Sequence, residues 1–160
     1  HLGLAGADLR NHGELSRLSN NLGASHRNLI HRDFQSQNLI VHDGKTWIID
    51  FQGLRLGRQE YDLASLIYDP YLDHSEEDQN RLLDLWEEIS EERPIPELLR
   101  DCAIQRLMQA LGAYAHILHE QRLEWYAQYI SVGAKLLLTQ VENTPLEEPL
   151  RPILESAMEK

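Results

Sequence analysis

Residues 31–51, HRDFQSQNLIVHDGKTWIIDF, decide how this 160-residue chain is read. His31 and Asp33 stand two apart, Asn38 follows Asp33 by five, and Asp50 follows Asn38 by twelve. Leu39-Ile40-Val41 and Trp47-Ile48-Ile49 are strand-like apolar runs, and Asp43-Gly44 between them is a turn pair. The pattern predicts a β-hairpin over 38–51. Such a hairpin folds the chain back, so that Asn38 and Asp50 can converge at its open end.

Working outward, Leu15, Leu18 and Leu22 fall at helical spacing in HGELSRLSNNL (12–22), and Gly23 ends that pattern. Asn28-Leu29-Ile30 leads into the loop. Beyond the hairpin, Gly53 and Gly57 flank Leu-Arg-Leu in a predicted loop. EYDLASLIYDP (60–70) then reads as a helix with Tyr61, Ala64, Leu66 and Ile67 on its apolar side, ending before Pro70. Leu82, Leu85, Trp86 and Ile89 mark the next helix, with Ser75 and Asp78 resembling a capping box at its start. Arg93-Pro94-Ile95-Pro96 breaks it. The longest helix is predicted over 96–119, with Leu99, Cys102, Leu107, Leu111, Tyr114 and Leu118 as core positions. A further helix is expected over 121–141, then a proline-punctuated connector, ENTPLEEPLRP, and a short terminal helix in ILESAMEK. The fold class is mainly α with a small β-hairpin (α+β). Two strands alone do not make a stable sheet, so the hairpin must lie on helices.

Composition narrows the function classes. A chain that is 42% hydrophobic and 26% charged has the make-up of a globular domain. The net charge of −11 argues against a general nucleic-acid binder, which needs a basic face. No apolar run approaches the roughly 20 residues of a membrane span, and no secretory leader is recognisable. A single cysteine, Cys102, excludes an internal disulfide and a cysteine-based zinc site. Its apolar helical context makes it a buried, inert thiol, and the whole suits a reducing cytoplasm.

The loop and hairpin match the needs of one chemistry. Phosphoryl transfer to an alcohol requires a group that orients the hydroxyl and accepts its proton. It also requires one or two Mg²⁺ ions on hard oxygen ligands to hold the nucleotide phosphates. Asp33 fits the first role, and Asn38 with Asp50 fits the second. The competing reading is a loop whose Asp and Asn merely cap turns; a lone His-x-Asp carries little weight, whereas the full spacing with its strand context carries much more.

HRDFQSQNLIV, WIIDFQG and EYDLASLIYDP together resemble the C-terminal lobe of the aminoglycoside phosphotransferase and choline kinase superfamily, a branch of the protein-kinase-like fold. Within it they are most similar to bacterial phosphotransferases that include cell-wall amino-sugar kinases. The resemblance covers about forty residues. It implies ATP as co-substrate, Mg²⁺ as cofactor and a small-molecule hydroxyl, on a sugar or amino sugar, as acceptor. It implies that Asp33 is catalytic, that Asn38 and Asp50 bind metal, and that His31 and Asp62 brace the loop. Gln52 follows Phe51 where protein kinases have glycine, and Glu60-Tyr61-Asp62 comes too soon after Asp50 for a long activation segment; both features disfavour a protein kinase. Arg32 is expected to pair with a nearby carboxylate. Many antibiotic-phosphorylating relatives carry glycine there, which weakens an antibiotic-resistance reading.

Arg32, Gln35, Arg55 and Arg58 are candidate contacts to substrate or phosphate, with plain solvation the alternative for the glutamines Gln35 and Gln37 and for the arginines Arg55 and Arg58. Gln105, Arg106 and Tyr114 lie on the helix that faces the acceptor in this family, although Tyr114 is better placed as core. His116 and His119 lack a carboxylate pattern for a metal. Trp86 and Trp125 read as helix-packing residues.

No glycine-rich phosphate loop occurs in the sequence, and no Val-Ala-Ile-Lys-like strand precedes the loop at 31–38. The expectation is therefore one lobe over 1–160, with the catalytic loop and metal hairpin at 29–53 and a helical, substrate-side part at 60–160. The nucleotide-binding N-terminal lobe would be absent, in a parent longer by on the order of 100–150 residues. The isolated fragment would then be inactive. The alternatives are an aminoglycoside antibiotic phosphotransferase and a non-catalytic helical binding module derived from a truncated kinase lobe. Neither a nucleic acid nor a membrane is expected as partner.

Overall fold

The computed structural model describes residues 13–23 and 28–159. In chain order the elements are α1 (Gly13–Gly23), β1 (Asn28–Ile30), β2 (Leu39–His42), β3 (Lys45–Ile48), β4 (Arg55–Gly57), α2 (Gln59–Ile67), α3 (Glu76–Ser90), α4 (Pro96–Glu120), α5 (Ala127–Val141) and α6 (Glu147–Met158). The chain is mostly helical with small antiparallel sheets. It divides into two compact units, Ala24–Ala103 and His1–Gly23 with Ile104–Lys160. Helix α4 contributes its first part to one and its remainder to the other. Among the described residues no helix is long and apolar enough to cross a membrane.

The first unit carries the motif. β2 and β3 form the predicted hairpin, with Leu39 opposite Ile48 and His42 opposite Lys45. Asp43 (φ 49°) and Gly44 (φ 71°) both take the left-handed conformation that a tight two-residue hairpin turn requires. A second ribbon was not expected. Arg55–Gly57, read from sequence as loop, is strand β4, antiparallel to β1, with Ile30 opposite Arg55 and Asn28 opposite Gly57. A β-carbon on Gly57 would overlap Cδ1 of Ile30 and lie 3.0 Å from its Cγ1. Ile30 is itself buried. Gly57→Ala is therefore expected to force the Ile30 side chain from its place and to destabilise the unit by about 1–3 kcal/mol, read as a lower urea midpoint.

Helix α2 follows at once and buries Tyr61, Leu63, Ala64, Ser65 and Ile67. The periodicity had assigned Leu66 to this face, but it is only half-buried, and Leu63 takes the place. In α3 the cap is as read: Asp78 N donates to Ser75 Oγ at 3.2 Å, and Ser75 Oγ donates to an Asp78 carboxylate oxygen at 2.6 Å. The apolar stripe of α3 is not covered, however, for Leu85 and Ile89 are exposed. Glu91, at φ 60°, ends the helix in a left-handed cap.

Cys102 is fully buried, as its sequence context implied. Burial, aided by the Glu60 charge and opposed by Arg58, pushes its thiol up to about 12. The folded value lies above the ordinary 9.0, so the protonated thiol stabilises the fold below pH 9.0 and this contribution is lost as pH rises toward 12. A thiol-reactive probe at pH 8 is expected to label Cys102 only after unfolding; rapid labelling of the native chain would contradict this burial.

The second unit buries Leu107, Leu111 and Tyr114 from α4, Ile130, Ala134, Leu137 and Val141 from α5, and Leu150, Leu154 and Ala157 from α6. Helix α5 starts at Ala127 rather than near 121, because Glu124–Tyr126 form a separate 3₁₀ turn. Trp125, expected to pack between helices, is 53% exposed and stacks on Tyr126 at 4.2 Å between ring centroids. Residues 147–152, expected to be connector, belong to α6. Pro149 lies in the first turn, where no backbone donor is needed, and Pro152 removes one internal bond. Packing on α5 offsets that loss.

Candidate active site

The loop between β1 and β2 is tied to three other parts of its unit. Asp62, on α2, accepts from both residues at the loop head: His31 N to Oδ2 at 2.6 Å and Arg32 N to Oδ1 at 2.8 Å. The His31 ring is buried, and its Nε2–H donates to the carbonyl of Ile49 at 2.9 Å, one residue before Asp50. A carbonyl only accepts, so this bond fixes which ring nitrogen carries hydrogen. Thus His31 links the loop to the hairpin while Asp62 links it to the helix.

The loop also closes on itself. The main-chain carbonyl of Asp33 accepts from Gln35 N at 3.0 Å and from Asn38 Nδ2 at 2.8 Å. Asn38 N in turn donates to Gln35 O at 2.9 Å, forming the 3₁₀ turn Ser36–Asn38. Asn38 is buried, and with its amide nitrogen engaged its side-chain oxygen is the atom left to meet a ligand.

The hairpin register then brings Asp50 to this place. Ile49 N donates to Asn38 O at 3.0 Å, which continues the ladder by one pair beyond Leu39 and Ile48. Asp50 is the next residue. It leaves the strand in the left-handed conformation, φ 63° and ψ 38°, which aspartate tolerates better than most residues. One of its carboxylate oxygens, Oδ1, accepts from Gln52 Nε2. Gly53 next lies alongside the loop head, since a β-carbon there would be 3.6 Å from His31 O and 3.8 Å from Arg32 Nη1.

The structure therefore gathers His31, Asp33, Asn38, Asp50 and Asp62 into one bonded loop, hairpin and helix. It places the other candidates less decisively. Gln37 and Arg55 are exposed, whereas Gln35 and Arg58 are half-buried, Arg58 standing just before α2. Arg32 departs from expectation: among the described residues its guanidinium has no carboxylate partner. Asp62, the acid bonded to this segment, accepts the main-chain N–H groups of His31 and Arg32. In the second unit Arg106 and Tyr114 are buried, and Gln105, His116 and His119 are exposed.

One residue of this site escaped the sequence reading. Asp69, just past the end of α2, is wholly buried. Its Oδ2 accepts from Ser36 N at 2.7 Å and its Oδ1 from Tyr71 N at 2.9 Å. Asp62 holds the head of the loop, and Asp69, seven residues on, holds its middle. The only sequence signal was Asp-Pro at the close of a helix, which reads equally as a stop.

A donor set of one amide oxygen and one carboxylate suits Mg²⁺, which commonly takes one or two protein carboxylates and completes its shell with phosphate and water. Asn38 and Asp50 could offer such a set; among the described residues no group of three or more His, Cys, Asp or Glu side chains is placed to hold a metal ion.

Known proteins point the same way. Residues 5–99, more than half of the chain, match the sequence model of the phosphotransferase enzyme family. Over 109 residues the chain is 29% identical to the N-acetylmuramate/N-acetylglucosamine kinase of Neisseria meningitidis serogroup B, an alignment covering 61% of this chain and 32% of that protein. The chain thus spans about a third of the relative's length. The match spans the loop, the hairpin and helix α2, and the chain belongs to the phosphotransferase enzyme family.

Proposed function

We propose that the protein carrying this sequence transfers the γ-phosphoryl group of ATP to a hydroxyl of a sugar or amino sugar. The observation that supports it best is the bonded register of Asp33, Asn38 and Asp50: Asn38 donates to the Asp33 carbonyl at 2.8 Å and accepts Ile49 N at 3.0 Å, next to Asp50. In this reading the Asp33 carboxylate orients the acceptor hydroxyl and takes its proton as the oxygen attacks. Asn38 and Asp50 hold Mg²⁺, which when bound supplies charge neutralisation at the phosphates. His31, Asp62 and Asp69 keep the loop in place, and a fixed loop matters because misplacement of the reacting groups by 1 Å can cost on the order of 10²-fold in rate. The kinase named above supports a sugar acceptor.

The nucleotide-covering lobe is assigned to sequence beyond these residues, and the 160-residue chain alone would not turn over. The relative's much greater length supports that assignment. So do the exposed apolar side chains Val41, Trp47 and Phe51 on and beside the hairpin. The protein would act in the cytoplasm, where ATP is available.

The test gives full-length protein labelled ATP with separate sugars, amino sugars, aminoglycosides and choline, each with Mg²⁺ or with excess chelator. The reading expects label in a sugar or amino sugar, and only with the metal. Preferred transfer to an aminoglycoside would support the antibiotic-modifying alternative, and transfer to no acceptor would refute the reading.

A further inference from the structure

Two separate features of Arg32 find no explanation in the stability of the fold. The first is its backbone. At φ 74° it occupies the left-handed region, where a residue with a side chain is disfavoured by roughly 1–2 kcal/mol and glycine is at ease. The conformation is enforced, because Arg32 N is tied to Asp62 Oδ1 at 2.8 Å and His31 N to Oδ2 at 2.6 Å. The second is its charge. In a chain of net charge −11, this half-buried guanidinium has no ion-pair partner among the described residues. Glycine would fit the backbone better, and among the described residues no carboxylate engages the arginine head.

The position of that head says what it is for. Nη1 lies 3.8 Å from where a Gly53 β-carbon would be, so the guanidinium rests against the segment that follows Asp50 and next in sequence to Asp33. Glycine at 53 leaves that approach open. A guanidinium with no ion-pair partner among the described residues, on the residue before the proposed acceptor-orienting Asp33, is a ready receptor for a planar oxyanion, which its fork can bind through two parallel hydrogen bonds.

We infer that Arg32 is a specificity-determining residue that receives a carboxylate carried by the acceptor, so that the preferred substrate class is an acidic amino sugar rather than a neutral one. This rests on the sugar-kinase reading above and adds to it the group that is recognised and the residue that recognises it. N-acetylmuramate and N-acetylglucosamine are the natural pair of probes, because the first carries a lactyl carboxylate that the second lacks.

The experiment compares the full-length protein with its Arg32→Gly, Arg32→Gln and Arg32→Lys variants, measuring kcat/KM for both sugars at saturating Mg²⁺ and ATP, and the KM for ATP. Arg32→Gly and Arg32→Gln are expected to lose roughly 10- to 100-fold more on N-acetylmuramate than on N-acetylglucosamine, as expected for a lost charge-assisted hydrogen bond. Arg32→Lys should recover part of the difference, and Arg32→Gly should unfold at no lower temperature than the parent. Equal losses on the two sugars would overturn the inference. So would a change confined to the KM for ATP, which would assign the arginine to a nucleotide phosphate instead. Should the parent phosphorylate neither sugar, the kinase reading fails by itself, and calorimetry then decides the inference: it stands if the parent binds N-acetylmuramate at least ten-fold more tightly than Arg32→Gly does, and it falls if the two bind alike.

Discussion

Asp33→Ala is expected to lower phosphoryl transfer by roughly 10²- to 10⁴-fold, the range for removing a positioned general base. The loss should appear in kcat, with the KM for ATP little changed, because the variant keeps Asn38 and Asp50, the proposed metal ligands. The fold should survive, since the Asp33 main-chain carbonyl, which accepts from Gln35 N at 3.0 Å and from Asn38 Nδ2 at 2.8 Å, is kept in the variant. Single-turnover kinetics and thermal unfolding measured side by side separate the two effects. A variant that is as stable as the parent and still transfers phosphate within a few-fold of it would remove Asp33 from the chemistry.

The largest stability effect is expected at Asp69. It is wholly buried, and it accepts two main-chain N–H groups, from Ser36 at 2.7 Å and from Tyr71 at 2.9 Å. Asp69→Ala leaves both donors without that acceptor. At about 1–3 kcal/mol for each unsatisfied group, the loss for two comes to about 2–6 kcal/mol, a large part of a typical domain's stability. Asp69→Asn retains one acceptor oxygen and should lose about half as much. Urea unfolding gives the total, and amide exchange at Ser36 shows whether the loop itself is released. A loss below about 1 kcal/mol for Asp69→Ala would mean that the loop is held from elsewhere.

The two aspartates that anchor the loop show how far the sequence could be read. Asp62 was found because it stands at a fixed place in a motif, Tyr-Asp-Leu-Ala. Asp69 was not, because its partner Ser36 lies thirty-three residues away and nothing in Asp-Pro marks an acid as buried. The hairpin was legible because its turn and both strands lie within fourteen residues. Strand β4 was not: it is three residues long, it ends in glycine, and its partner is β1, on the far side of the hairpin. Helix α6 was cut short by treating Pro149 and Pro152 as breakers. The first sits where a helix needs no donor, and the second is carried by the burial of Leu150, Leu154 and Ala157 and by Arg151 reaching Glu147 at 2.6 Å and Glu155 at 3.4 Å. Local chemistry thus reveals itself in spacing, whereas the groups that hold a loop from a distance emerge only once the chain is folded.

Arg32 is the instructive disagreement. Its charge suggested an ion pair, yet Asp62 meets the segment through the main-chain N–H groups of His31 and Arg32, and among the described residues the guanidinium has no ion-pair partner. Its backbone, at φ 74°, is one that glycine would occupy more easily.

Phosphorus NMR of full-length protein with ATP, Mg²⁺ and N-acetylglucosamine or N-acetylmuramate tests the central claim most directly. The account predicts a sugar phosphate monoester that grows in step with ADP, and neither product at a comparable rate from Asp33→Ala. ADP accompanied only by inorganic phosphate, or ATP left intact with both sugars, would contradict it.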